Sequence, residues 1–154
     1  MIARVVGAAL ALFLLLLIAA GDRLAPNDAE RQFQDRAWSP PMPLRLEGAS
    51  TYVDAQTLED RIARAFAADP SRPVALDWFA RGRLIAPADP ANREPVLLLG
   101  ADALGRDVLA RVGEAARWSL GVAIAGALIA LAIGTLVGAL AASSGRLVDR
   151  AIVS

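Results

Sequence analysis

Two long uncharged blocks of apolar residues flank a polar stretch in which apolar positions recur only at short spacings. The first block runs from Val5 to Gly21 and is densest over Leu10–Ile18. A spanning helix needs roughly 17–25 predominantly apolar residues, and this block just reaches that length. Arg4 before it and Ile18-Ala19-Ala20 at its end also suit the charged start and cleavage site of a signal peptide. A second span downstream favours the uncleaved helix, so residues 1–21 are expected to be the first transmembrane helix. No charge occurs between Arg117 and Arg146, and the run from Trp118 to Leu140 exceeds the hydrocarbon thickness at about 1.5 Å per residue. Trp118 suits the membrane interface. Too little polar chain is present to bury such a helix in a soluble core, so residues 118–145 are expected to be the second span and 146–154 its cytoplasmic end.

The second block carries small residues in register. Gly126, Ala130, Gly134, Gly138 and Ala142 follow one another at i+4. Such a ridge lets another helix approach closely, so that dispersion contacts replace the hydrophobic drive that lipid does not supply. Packing against protein is the expectation, although Ala and Gly are common in this composition.

Between the blocks, the pattern predicts a small mixed α/β segment over residues 22–95. Ser39-Pro-Pro-Met-Pro43 cannot be helix and reads as an extended linker. Leu44–Leu46 and Thr51–Val53 are strand-like, separated by Glu47-Gly48. Over Thr57–Ala68, Leu58, Ile62 and Phe66 share a helical face that Pro70 would end. Val74–Leu84 reads as a strand pair around Arg81-Gly82, and Asp89–Pro95 as loop. So short a segment with few aromatics makes a small core. It is expected to lie on the membrane or on partner subunits. The fold class is thus a membrane all-α protein with two transmembrane helices and a small extracytoplasmic mixed α/β segment between them.

Composition narrows the chemistry. Hydrophobic residues make up 56% of the 154, above the usual share for a soluble domain. Formal net charge is zero, which leaves no broad basic field for nucleic acid. Cys and His are both absent. Disulfides, thiolate metal sites, Cys nucleophiles and His general bases are therefore excluded, and no metal or cofactor is expected. All sixteen basic residues are Arg, so Ser–Lys catalysis is excluded as well.

The remaining candidate chemistry lies in Glu94–Arg111. Gly100-x-x-x-x-Gly105-Arg106-Asp107 has P-loop spacing, but Arg replaces the phosphate-binding Lys and an anion replaces the Mg²⁺-binding hydroxyl. A structural role fits better. Asp102 can cap a helix beginning near Ala103, with Leu104, Val108 and Val112 on one face. Asp102–Arg106 and Asp107–Arg111 are opposite charges at i,i+4. Residues 96–117 are therefore expected to form an amphipathic helix on the membrane surface that leads into the second span.

Leu99–Arg111, followed by Ala116-Arg-Trp-Ser-Leu120, Ile133–Leu140 and Gly145-Arg-Leu-Val-Asp-Arg150, resembles the dipeptide/oligopeptide/nickel permeases of ABC importers, C-type subunit. The resemblance covers about residues 96–152 and marks Gly100, Asp102, Gly105, Arg106, Asp107, Arg117 and Ser119 as motif positions. Ala101, Glu114-Ala115 and Ser143-Ser144 depart from the family pattern. Members usually carry six spans and a cytoplasmic Glu-Ala-Ala loop that docks on the ATPase. Neither lies in these residues, so a truncated frame or fragment is expected.

The resemblance implies a permease subunit that forms part of the transmembrane pathway for peptides or similar solutes and is not itself an enzyme. Implied partners are a homologous second permease, two ABC ATPase subunits, an extracytoplasmic solute-binding protein and membrane lipid. The implied location is the bacterial inner membrane with the amino terminus cytoplasmic, as Arg4, Arg146 and Arg150 suggest by charge. The rivals are a two-span accessory or anchoring protein with an extracytoplasmic binding domain, and a secreted precursor with a carboxy-terminal anchor.

Overall fold

A computed structural model describes residues 2–143. The Gly145–Arg150 motif and the expected cytoplasmic end lie outside the described residues. The chain divides at Arg117/Trp118 into two units.

Helix α1 spans Ile2–Ala20 and helix α2 spans Val108–Ser143. Both are long and apolar enough to cross a membrane. No α1 residue is buried within the protein, so its Leu-rich surface is available to lipid or to another chain. Helix α2 runs for about 54 Å at 1.5 Å per residue, well beyond a hydrocarbon core of about 30 Å. Its charged residues, Arg111, Glu114 and Arg117, all lie in the initial turns, and none follows before Ser143.

A four-stranded antiparallel sheet lies between the helices in sequence: β1 (Arg45–Glu47), β2 (Ser50–Asp60), β3 (Ala65–Trp78) and β4 (Ile85–Pro87), in that spatial order. The β1–β2 turn falls at Gly48, whose φ of 63° suits a residue without Cβ. Val53 and Ala55 of β2 are fully buried, and Val53 joins Met42, Leu76, Ile85, Val96, Leu97 and Ala101 in one core. Strand β3 carries an insertion. Asp54 pairs with Pro73 while Ala55 pairs with Asp69, so Pro70, Ser71 and Arg72 stand outside the ladder. A proline has no N–H to give a ladder, and the bulge removes that demand.

The structure corrects two expectations here. Thr57–Ala68 is not a helix: Thr57–Asp60 continue β2, Ala65–Ala68 begin β3, and a turn at 61–64 joins them. Asp60 Oδ1 accepts from the Ile62 and Ala63 amides at 2.7 and 3.0 Å, fixing that turn. The i,i+4 spacing of Leu58, Ile62 and Phe66 is overridden by strand pairing, and Ile62 is left 97% exposed at the hairpin tip. The 22–95 segment is accordingly a strand-rich sheet with short 3₁₀ turns at Gly21–Arg23 and Gln34–Arg36, and among its described residues there is no α-helix.

The second correction concerns residues 96–117. Helix α2 starts at Val108, not near Ala103, and Val96–Asp107 is a folded loop whose first residues enter the sheet core. Val96 and Leu97 are consumed by that core and Leu98 packs against it, so the run does not form a surface helix.

Candidate functional site

The Gly100–Asp107 loop is built around close backbone approach. Gly100 and Gly105 have φ values of 78° and 71°. A Cβ on Gly100 would stand 2.5 Å from the Ser39 carbonyl oxygen, and one on Gly105 would stand 2.0 Å from that of Phe33. The chain from Gln32 to Met42, including its 3₁₀ turn at Gln34–Arg36, is thereby laid across the loop. Its amides alternate with the loop's: Phe33 donates to the Gly105 carbonyl at 3.0 Å, Trp38 to Asp102 at 3.1 Å, and Met42 to Leu97 at 3.0 Å. In return the Ala101 amide donates to Ser39 at 2.9 Å. The Pro-rich segment forms no helix, as its sequence predicts, but it is not a free linker: Ser39 and Met42 are buried, and Gly100 packs against Ser39, Pro40 and Pro41.

Asp102 organises the turn. Its Oδ1 accepts from the Leu104 and Arg106 amides at 2.8 and 3.0 Å, and its Oδ2 accepts from Arg106 Nε at 2.9 Å. Arg111 reaches the same oxygen at 3.3 Å. Partial burial works against the Asp102 charge, but the Arg106 amide and guanidinium and the Leu104 amide outweigh it. The carboxyl is held below its ordinary range.

Asp107 is the cap of α2 and is completely buried. Its Oδ1 accepts from Leu109 at 2.9 Å and Ala110 at 3.4 Å, and its Oδ2 from Asn27 Nδ2 at 2.9 Å. Asn27 also donates to the Val96 carbonyl at 2.7 Å, so one amide ties the chain after α1 to both ends of the loop. Burial pushes the Asp107 carboxyl up, against the lowering pull of Asn27, the Ala110 and Leu109 amides and the charge of Arg83. Arg83 is held nearby by the Ala25 and Asn27 carbonyls, each at 3.1 Å, and by Asp28.

The expected Asp102–Arg106 pair is present. The expected Asp107–Arg111 pair is not: Asp107 faces inward to Asn27, and Arg111 turns to Asp102. Arg117 pairs with Asp22 at 3.0 Å, and Gly21 and Gly113 pack backbone to backbone, so that a Cβ on either would meet the other's carbonyl oxygen within 2.5 Å. These contacts join the end of α1 to the initial turns of α2. Ser119 is exposed on α2. Gly126, Gly134 and Gly138 have nothing within 4 Å of a built Cβ, and Ala130 and Ala142 are exposed with them.

A second buried network was not legible beforehand. Arg36, nearly fully buried, donates to the Gln56 carbonyl and pairs with Glu94 at 3.0 Å; Glu94 also pairs with Arg72. Ser39 bonds Gln56, whose Nε2 donates to the Pro40 carbonyl at 3.1 Å. No short-range pattern joins Arg36 to Glu94 or Asn27 to Asp107, because the partners lie 58 and 80 positions apart.

The loop cannot cradle a phosphate. The amides of Gly100, Ala101, Asp102, Leu104, Gly105 and Arg106 are all engaged by acceptors within the protein. Among the described residues, no group of three or more carboxylates is placed to hold a metal ion. The arrangement is a clasp, which holds the sheet to the ends of both helices.

No family model matches the chain, and no solved structure matches it. Over 50 residues it is 50% identical to a protein of Brucella ovis whose description reads "Putative peptide permease protein". That stretch is 32% of this chain and 17% of the relative, well under two thirds of the relative's length. The match supports a permease-like origin and a transport-related role in general terms.

Proposed function

We propose that this chain is the amino-terminal part of a permease subunit of an ABC importer for peptides or similar solutes, of the dipeptide/oligopeptide/nickel C-type. The observation that carries the reading is the 50% identity over 50 residues to a protein described as a peptide permease. Two helices of spanning length, and a Gly-Arg-Asp loop whose glycines and carboxylates are all used structurally, are consistent with it. The helices sit in the bacterial inner membrane with the amino terminus cytoplasmic. The sheet lies outside, at the carboxy-terminal end of α1 and the start of α2, where an extracytoplasmic solute-binding protein docks. A homologous permease completes the pathway. ATP hydrolysis in two partner subunits drives alternating access, and the chain itself performs no chemistry.

Affinity purification of the tagged chain from its native membrane tests this. A homologous permease and ABC ATPases are expected to co-purify, and deletion is expected to abolish ATP-dependent peptide uptake. Recovery without either partner, with uptake intact, would overturn the proposal and favour a two-span accessory protein.

A further inference from the structure

An apolar groove of about 470 Å³ opens beside the last turns of α1. Phe13, Leu16, Leu17 and Leu24 form one wall, and Phe79 and Leu84, from the turn between β3 and β4, form the other. The position of that turn is fixed by backbone bonds. Leu84 donates to the Arg23 carbonyl at 2.8 Å, and Phe79 donates to the Leu84 carbonyl at 2.8 Å. Phe79 holds a φ of 54° and remains 82% exposed. A non-glycine residue in the left-handed region costs free energy that an exposed phenyl ring does not recover from water.

Charge at the groove has one sign. Arg23 and Arg83 line it, and no acidic residue does. The guanidinium of Arg83 is engaged by Asp28 and two carbonyls. Four acids lie on the other side of Arg23, in the adjoining polar cavity: Asp22 and Asp28, which are paired with Arg117 and Arg83, and Glu30 and Glu114. Arg23 makes no ion pair among the described residues. From Arg23 down to Leu16 and Phe13 the chain descends about 10–15 Å at helical rise, the length over which a phospholipid passes from its phosphate into its acyl chains.

We propose that this groove binds one phospholipid, its phosphate on Arg23 and an acyl chain between Phe79 and α1. The inference rests on α1 being a membrane span. The turn then serves as an interfacial anchor that fixes the height of the sheet above the bilayer.

The test uses the full chain in vesicles of phosphatidylethanolamine and phosphatidylglycerol containing a phosphatidylglycerol with a photoactivatable acyl chain. Cross-linked residues are mapped by mass spectrometry. Labelling is expected at Phe79 and Leu84 as well as on α1 and α2. Arg23→Glu should lower the Phe79 label about fivefold, Arg23→Lys should restore it, and label at Leu131 of α2 should not change in either variant. Label on the helices with none at Phe79, or label at Phe79 indifferent to Arg23→Glu, overturns the groove while leaving the spans intact. No label on either helix overturns both the groove and the membrane reading.

Discussion

Two sets of glycines in this chain look alike in sequence and differ completely in use. Gly21, Gly100, Gly105 and Gly113 each have another segment's backbone where a Cβ would be. Gly126, Gly134 and Gly138 of α2 have empty space there. These four glycines therefore use their missing side chain inside the chain, closing the clasp between sheet and helices. The α2 glycines have no such use in the described structure, and any close packing they permit must come from a second helix. Substitutions at the two sets should separate fold stability from assembly.

The largest effect is expected at Gly105. Gly105→Ala places a Cβ 2.0 Å from the Phe33 oxygen, at a φ of 71° that a side chain resists. Overpacking and strain together should exceed about 3 kcal/mol, a large part of a typical domain's stability of about 5–15 kcal/mol. Limited proteolysis in detergent should show cleavage between Asp28 and Met42 that the parent resists. Parent-like resistance would show that the loop can relax and that the clasp is loose.

Asp107 comes next. Asp107→Ala removes a helix cap and leaves one of the two Asn27 Nδ2 protons without an acceptor in a buried site, the other staying on the Val96 carbonyl, a loss of about 2–4 kcal/mol. The same carboxyl gives a pH signature. Its pKa is raised in the folded protein, so the folded state holds the proton more tightly than the unfolded chain. Its contribution is fully present below the ordinary value of 3.8 and is lost as pH rises through the higher folded value. Thermal unfolding from about pH 4 to neutrality should therefore show the parent losing stability relative to Asp107→Asn, which cannot titrate. Parallel profiles for the two proteins would mean that the donors around Asp107 cancel its burial.

The reach of sequence reasoning follows the same division between local and distant contacts. Both apolar helices are legible because length and hydropathy are local properties, and the Gly48 turn and the absence of helix over the Pro-rich segment are legible because φ preferences are local too, whereas the burial of Ser39 and Met42 in that segment is not. The hairpin at 57–68 is not. Its helical spacing of Leu58, Ile62 and Phe66 is outweighed by the ladder that the hairpin extends, from Thr51↔Leu76 to Asp60↔Ala65, most of which lies outside a window of that length. In the loop, the cap expected at Asp102 falls instead at Asp107, which the sequence offers only as an ion-pair partner of Arg111. Which carboxylate turns inward depends on Asn27, 80 positions away.

Topology offers a smaller, geometric test of the same division, since the sheet and the end of α2 should face opposite sides of the membrane. The chain has no Cys, so single cysteines can be placed at Ser50 and at Ser144. An impermeant thiol reagent added outside should label the exposed Ser50→Cys and spare Ser144→Cys. Labelling of the second without the first would invert the proposed orientation.

The smallest effect on the chain's own stability is expected at Gly134. Gly134→Leu meets nothing within 4 Å, so the fold should change little. Insertion should also be nearly unchanged, because Leu at a helix centre favours the bilayer by about 0.3–0.6 kcal/mol. The consequence should appear only where a second helix is present. There the added side chain holds two backbones apart along the whole ridge from Gly126 to Ala142, and the dispersion contacts of close approach are lost. Co-purification with the proposed partner permease should therefore fall for Gly134→Leu and persist for Leu128→Ile, which lies off the ridge and preserves volume. Retention of the partner by both variants would place the ridge against lipid. The α2 glycines would then reflect composition alone, while Gly21, Gly100, Gly105 and Gly113 would keep their role in the clasp.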